Sequence, residues 1–231
     1  MTKQSEKTFI PNAVDIAKKE MDVINPNLSD KFSELIGFIS LYPDSASNSK
    51  GKHGPAIGSV EYIKNAARIF SNSRLPKKPS RPNTIPDEMV GVVLQTTFDI
   101  APEKLTEIKD THALSMGAEN IIGDLLERYL AYELEPHGWI WCSGTIVKAV
   151  DFIKWEEDEN QWKMLQVKNR DNTENSSSSA IRINTKIIKW FRTFSKKIGS
   201  NWEKFPDEVS TKHLSEEKFR DFVINYLNSL K

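Results

Sequence analysis

The sequence predicts an α/β fold in which helices flank a mixed central β-sheet, with a mainly helical region at the N-terminus. From Leu114 to Leu134, apolar residues recur at the spacing of an amphipathic helix. The segments Trp139–Trp141, Thr145–Trp155 and Gln161–Asn169 read as three strands, and further helices follow them. A helix, three strands and a helix, in that order, indicate a sheet covered by helices.

The N-terminal region, residues 1–86, is predicted to contain helices at Ala13–Met21 and Asp30–Ile39, with Ser29 capping the second. Two loop-like stretches interrupt this region. Pro43–Gly58 is rich in Ser, Asn and Gly, and residues 75–86 carry four prolines, which exclude a helix or a central strand. We therefore expect a boundary near residue 86, with the main domain spanning residues 87–231.

The stretch from Lys64 to Arg81 is basic, and no acidic residue lies between Glu61 and Asp87. A basic arm stiffened by prolines could lie along DNA phosphates. A solvated linker that carries lysines for solubility is an equally good interpretation.

The later helices are predicted at Ile181–Ile198, with Gly199 as its stop, and at Glu216–Leu230, with Ser215 as its cap. The last helix carries one apolar stripe, which indicates a core face or a dimer interface. The stripe consists of Phe219, Phe222, Val223, Tyr226, Leu227 and Leu230.

The bulk composition leaves a nuclease open. The chain has 231 residues and a formal net charge of zero, which argues against a general nucleic-acid coater but allows catalytic carboxylates to offset phosphate-binding lysines. Residues 1–7 are polar, no apolar run approaches the length of a membrane span, and Cys142 is the single cysteine. These features predict a cytoplasmic protein without disulfides, in which Cys142 is a packed residue.

One group of polar residues is a candidate catalytic site. The acidic turn at residues 156–160 predicts a hairpin that brings Asp151 close to Gln166. Because strand side chains alternate between faces, Gln166 and Lys168 point the same way. A carboxylate and an amide oxygen can hold Mg²⁺, and a lysine beside them can orient water for phosphodiester hydrolysis. Glu119, on the preceding helix, could supply a further oxygen ligand.

An ordinary amphipathic hairpin would show the same spacing, and two features favour the catalytic interpretation. Asp151 interrupts a strongly apolar segment, where an unpaired carboxylate would be costly. A long polar tract follows Lys168, from residue 169 to residue 179.

Several ungapped words between Gly117 and Arg182 resemble the SinI and AvaII group of restriction enzymes. The words are GAENIIGDLLERY from Gly117, WIWCSG from Trp139, VDFIK from Val150, and the tract from Leu165 to Arg182.

The resemblance implies the PD-(D/E)XK, restriction-endonuclease-like fold, Mg²⁺-dependent cleavage of duplex DNA at GGWCC (W is A or T), and a homodimer matched to the two-fold target. It also implies that Asp151 is the central metal ligand and Lys168 the catalytic lysine. The sequence departs from the motif twice. Val150 replaces its proline, and Gln166 replaces its second acid, which removes a negative charge from the metal site.

With this resemblance, the polar tract is predicted to read DNA bases. Arginine pairs with guanine, asparagine with adenine, and carboxylates accept from cytosine. A serine-rich loop without such a role is the alternative. The base-reading candidates are Asn169, Arg170, Asp171, Asn172, Glu174, Asn175 and Arg182. On the predicted helix that follows, Lys186 could contact DNA phosphates, and a solvated helix face is an equally good interpretation.

Two other functions share parts of this pattern. A structure-specific nuclease of the same fold, for repair or junction resolution, would need no base-reading tract. A DNA-binding module without catalysis would not need magnesium or Lys168. A DNA methyltransferase is excluded, because the chain has neither a Gly-rich cofactor loop after a strand nor a Pro-Cys dipeptide.

Overall fold

A computed structural model describes residues 8–47, 53–172 and 186–231. Seven α-helices lie within these ranges. They are α1 (Ala13–Ile24), α2 (Ser29–Leu41), α3 (Val60–Ser73), α4 (Glu88–Phe98), α5 (Leu105–Leu134), α6 (Glu208–Thr211) and α7 (Glu216–Ser229). Short 3₁₀ turns at Pro26–Leu28, Pro43–Ser45, Pro102–Lys104, Glu135–His137 and Trp202–Lys204 join several of them.

Four described strands form one mixed sheet in the order β1-β2-β3-β4. They are β1 (Trp139–Trp141), β2 (Phe152–Glu156), β3 (Gln161–Arg170) and β4 (Ile187–Thr193). The first three are antiparallel, with Phe152 opposite Leu165, and β4 runs parallel to β3, with Trp190 opposite Val167. The predicted mixed sheet flanked by helices is therefore confirmed.

The sheet separates two hydrophobic cores. On one face, Ile140, Ile153 and the loop residues Ile146, Val147 and Val150 pack with α1, α2 and α3. On the other face, Trp141, Phe152, Leu165, Val167 and Trp190 pack with the C-terminal half of α5 and with Phe219 of α7. The N-terminal helices thus share a core with the sheet, and the division at residue 86 stays a prediction.

The predicted helix at Ile181–Ile198 is wrong where it can be checked, because residues 187–193 form β4. Ile, Trp, Phe and Thr are frequent in strands, and the strand supplies β3 with a hydrogen-bonding neighbour on its open edge. Short apolar runs fit helix and strand patterns about equally well, which explains the error.

Two further predictions need adjustment. Ser29 is the first residue of α2 rather than its cap, and its hydroxyl donates to the Lys18 carbonyl. The predicted strand at residues 145–155 begins only at Phe152, because Thr145 and Ala149 have positive φ angles of 56° and turn the chain. By contrast, Ser215 caps α7 as predicted, accepting from the Lys218 N–H at 3.1 Å.

The apolar stripe of the last helix is confirmed as a core face. Phe219 is buried, and Phe222, Val223 and Tyr226 pack against the same cluster. Cys142 is also buried, as predicted, and burial raises its pKa well above the ordinary value, so the thiol is not poised for reaction. Among the described residues, no helix is long and apolar enough to cross a membrane.

Candidate active site

Asp151 lies immediately before β2 and is held by backbone contacts on both sides. Its carbonyl accepts from the Cys142 N–H at 2.8 Å, and its N–H donates to the Leu165 carbonyl at 2.8 Å. Its carboxylate oxygen Oδ2 accepts from the Val167 N–H at 2.7 Å. The predicted hairpin is therefore present and places this carboxylate against the middle of β3.

Gln166 and Lys168 follow in β3. Leu165 and Val167 belong to the core on the α5 face, so strand alternation directs Gln166 to the opposite face. Gln166 is only 2% exposed. Lys168 is half-buried near the end of the strand, where it lines a groove.

Glu127 of α5 is the acidic residue that sequence reasoning missed. Its Oε2 atom accepts from the indole N–H of Trp141 at 2.9 Å, which fixes the carboxylate toward the sheet. The charges of Asp151 and Lys168 both act on its pKa, so the three groups share one electrostatic environment. A weak signal was present in the sequence, because Glu127 lies between the apolar pairs Leu125–Leu126 and Tyr129–Leu130.

The two carboxylates are destabilised as a pair in the absence of a cation. Burial raises the pKa of Glu127, and the neighbouring Asp151 raises it further. Burial also raises the pKa of Asp151, which the Val167 N–H and the Lys168 ammonium offset only in part. Buried like charges of this kind are relieved by a bound divalent cation.

The donor set fits magnesium. Among the described residues, no group of three or more His, Cys, Asp or Glu side chains could hold a metal. Within the described chain, Oδ1 of Asp151 and Oε1 of Glu127 accept no hydrogen bond. Magnesium is usually held by one or two carboxylates and keeps several waters, and this site offers such a set.

Glu119 lies on the same helix but farther from this pair. It is exposed on the rim of the groove. Eight residues of α-helix separate it from Glu127, which corresponds to about 12 Å along the axis. Its predicted role as a metal ligand stays a prediction, whereas Glu127 is close enough to Asp151 for the Asp151 charge to raise its pKa.

The groove has a volume of about 880 Å³ and runs between α5, the end of β3 and the segment after β4. Lys168, Arg170 and Lys197 contribute positive charge to its walls. This arrangement can receive a phosphate backbone beside the carboxylate pair.

Two predicted base readers have structural partners. Asn169 Oδ1 accepts from Arg192, Nε at 3.0 Å and Nη2 at 2.9 Å, and Asp171 Oδ1 accepts from the Ser195 N–H at 2.8 Å. These contacts tie β3 to β4 and to the segment after it. Arg170 lines the groove and Asn172 is exposed, whereas Glu174, Asn175 and Arg182 lie outside the described residues.

Lys186 is not brought to the groove. Its ammonium donates to Gln161 Oε1 at 2.8 Å, at the far end of β3, where it borders a second pocket with Trp162 and Met164. The ten-residue strand β3 runs from Gln161 to Arg170 at the groove end, a length of roughly 30 Å.

The basic arm is attached to the domain along part of its length. Arg128 is buried and donates to the carbonyls of Ser73, Arg74 and Leu75, all at 2.9 Å, which ends α3 and fixes the start of the arm. Two further cations of the arm are ion-paired, Lys77 with Asp124 and Arg81 with Asp110. This pairing weakens the interpretation of the arm as a phosphate-binding element.

The mixed sheet, the buried carboxylates and the basic groove define the class as a nuclease with the restriction-endonuclease-like α/β fold. Comparison with known proteins supports this class. Residues 13–229 match the sequence model of the family described as SinI restriction endonuclease. The type II restriction enzyme Eco47I of Escherichia coli is 59% identical over 223 residues, which covers 96% of this chain and 97% of that enzyme. The type II restriction enzyme SinI of Salmonella infantis is 59% identical over 224 residues, with the same coverage of both chains.

The chain therefore belongs to the SinI restriction endonuclease family. It is a type II restriction endonuclease, which hydrolyses both strands of duplex DNA at a short specific site. Enzymes of this class generally need a divalent metal ion, and the carboxylate pair described above fits one.

Proposed function

We propose that the chain cuts duplex DNA at GGWCC in a Mg²⁺-dependent reaction, acting as a homodimer with one active site for each strand. The catalytic part of this proposal rests on the grouping of Asp151 with Glu127 and Lys168, which line the groove. The target sequence rests on the resemblance to the SinI and AvaII group and on the family membership. The cytoplasmic location expected from the sequence stays a prediction.

In this proposal, Asp151 and Glu127 hold the cation through the oxygens that their N–H partners leave available. The ligand role of Gln166, whose side chain is directed away from the α5 face, stays a prediction. Bound there, the cation supplies Lewis acidity toward the scissile phosphate and lowers the pKa of water. Trp141 orients Glu127 through the indole hydrogen bond, and the Val167 N–H orients Asp151. Lys168 holds the attacking water and stabilises the charge that develops on the phosphoryl oxygens.

Base reading is assigned to the tract from residue 169 to residue 182. Among the described residues of the tract, Asn169 and Arg170 line the groove, and Arg170 is the better-supported partner of guanine because Arg192 already engages Asn169. Asn169 and Asp171 act mainly by fixing the local backbone, because Arg192 and Ser195 already engage their side-chain oxygens.

Digestion of a plasmid that carries mapped GGWCC sites tests the proposal. With Mg²⁺, we expect defined ends at GGWCC, and we expect Asp151→Ala and Lys168→Ala each to lower the cleavage rate at least about 100-fold. Matched controls lie on the same hairpin but away from the groove. They are Asp158→Ala in the exposed turn and Lys163→Ala, whose ammonium pairs with Glu156 at 3.1 Å.

The controls should cut at the normal rate. Near-normal cleavage by either active-site variant would show that the catalytic centre lies elsewhere, and ends at other sequences would overturn the assigned target.

A further inference from the structure

An exposed apolar surface is formed by α4 and the neighbouring part of α5. The helix α4 carries no charged residue between Met89 and Phe98. Seven large apolar residues are exposed on α4 or beside it, namely Ile85, Met89, Val90, Val92, Val93, Phe98 and Met116. We propose that this apolar surface is the interface through which two copies of the chain pair about a two-fold axis.

The outward face of α4 is defined by how the helix packs on α5. Gly91 is buried against Leu105 and Lys109, and Leu94 is half-buried. Met89, Val92 and Val93 lie on the opposite side of the helix, where they are 59%, 48% and 53% exposed. A helix that is apolar on both sides is normally buried on both, so its outer face is expected to be covered in the working protein.

The size of the surface fits a stable interface. The exposed parts of the seven side chains amount to on the order of 600–800 Å², close to what each partner contributes to a standard-size complex. The surface of a monomer seldom carries a continuous apolar patch larger than a few hundred Å².

A second copy is the occupant that the chemistry favours. In a two-fold interface a patch meets its own copy, so like charges near the axis would repel. The stretch from Met89 to Phe98 carries none, whereas other exposed helices of this protein are rich in Lys, Asp and Glu. The apolar stripe of α7, the other candidate for an interface, is already occupied by the core.

The surface also reaches the groove. Met116 lies one turn before Glu119, which stands on the groove rim, so pairing through this surface would bring two grooves side by side. Two adjacent grooves are what a two-fold DNA target requires. This last argument rests on the proposed function, whereas the burial and charge arguments do not.

Sedimentation equilibrium of the full chain, without DNA or metal, tests the interface. At micromolar concentration we expect a dimer for the wild type, and at least a tenfold higher dissociation constant for Val93→Asp. Val23→Asp is the matched control, because Val23 is 87% exposed on α1, outside this surface. Circular dichroism and thermal melting should show that both variants stay folded.

Cysteine cross-linking gives an independent readout. Residues close to a two-fold axis meet their own copies, so among Met89→Cys, Val92→Cys, Val93→Cys and Thr96→Cys at least one should form an intermolecular disulfide on mild oxidation. Val23→Cys should not, and the native Cys142 is buried.

A wild-type monomer at micromolar concentration would overturn the proposal. So would a Val93→Asp variant that dimerises with the wild-type constant, or an α4 cysteine series with no cross-link. Because no DNA is present, these outcomes are independent of whether the proposed cleavage chemistry is correct.

Discussion

Glu127 and Glu119 differ in surroundings although both are glutamates on one helix. Glu127 is tied to Trp141 and feels the charge of Asp151, whereas Glu119 is exposed on the groove rim. We expect Glu127→Gln to lower the rate of plasmid cleavage at least about 100-fold and Glu119→Gln to lower it much less, because charge neutralisation at the metal requires the buried carboxylate. Single-turnover cleavage rates measure the difference.

The isosteric Gln keeps the Trp141 hydrogen bond within reach, so a loss in Glu127→Gln would reflect the missing charge rather than packing. A larger loss in Glu119→Gln would instead restore Glu119 as the principal acid of the site.

The raised pKa values of Asp151 and Glu127 predict how calcium stabilises the protein. Between the ordinary and the raised pKa, the folded chain keeps protons that the unfolded chain has lost, so these groups lower the free energy of unfolding as pH rises. Calcium binds the ionised pair, and its stabilising effect should therefore grow with pH.

We expect saturating calcium, about a hundredfold above its dissociation constant, to raise the melting temperature by roughly 5–10 °C near pH 8. Near pH 5 the rise should be much smaller, and Glu127→Gln should reduce it at both pH values, with Glu119→Gln as the control. An equal calcium shift at both pH values would contradict the assignment of the carboxylate pair.

From the sequence, one could predict which side chains lie together only where they are close along the chain and their spacing determines their positions. The position of Asp151 against β3 could be predicted because a strand alternates and a turn folds it back. Glu127 was missed because its partners Trp141, Asp151 and Lys168 come from three other segments, and no spacing rule relates them. Lys186 was placed with the tract that precedes it in sequence, yet its strand begins at the opposite end of the sheet.

The prediction of helices from the sequence has a similar limit. Helices with one apolar stripe, such as α7, could be predicted closely from the sequence. In contrast, α4 was not predicted, because Val90, Val92 and Val93 give it poor helix propensity and no polar face. The length of α5 was underestimated by about two turns, because its N-terminal half is largely exposed and carries no continuous apolar stripe.

Asp207, which immediately precedes the short helix α6, ties the C-terminal segment to the sheet. Its Oδ2 atom accepts from the Trp139 indole N–H at 2.8 Å and from the Lys154 ammonium at 3.1 Å. Although burial alone would raise its pKa, the Ser210 N–H and these two donors lower the pKa to about 2. The interaction therefore stabilises the fold above the ordinary pKa of an aspartate and is lost as pH falls through about 2.

We expect Asp207→Ala to lower the free energy of unfolding at neutral pH by roughly 1–3 kcal/mol, because it leaves buried donors without an acceptor. Urea denaturation measures this change, with Asp221→Ala on the exposed face of α7 as the control. The difference between Asp207→Ala and the wild type should shrink on acidification toward pH 2, and a difference that persists there would show that packing, not the charge, is responsible.

At the scale of the whole molecule, the two hydrophobic cores support different faces of the sheet. The sheet and the C-terminal half of α5 hold Asp151, Lys168 and Glu127 in fixed backbone and side-chain contacts, and α1 to α3 support the opposite face of the sheet. The fold class could be predicted because it depends on the order of elements. The orientation of the basic arm could not, because it is set by Arg128, Asp124 and Asp110, which lie far along the chain.

If two copies pair and each cuts one DNA strand, cleavage of the first strand and cleavage of the second strand can be measured separately. If each copy cuts one strand with its own Asp151 and Lys168, a dimer with one wild-type and one Asp151→Ala copy should nick supercoiled plasmid at about half the wild-type rate, since one of two sites remains. It should form linear DNA at least tenfold more slowly, because the second strand has no functional site. Differently tagged copies, co-expressed and purified through both tags, provide this dimer, and a doubly tagged wild-type dimer is the control. Linear product at the wild-type rate would mean that one site cuts both strands, and the assignment of one groove to each strand would then be wrong.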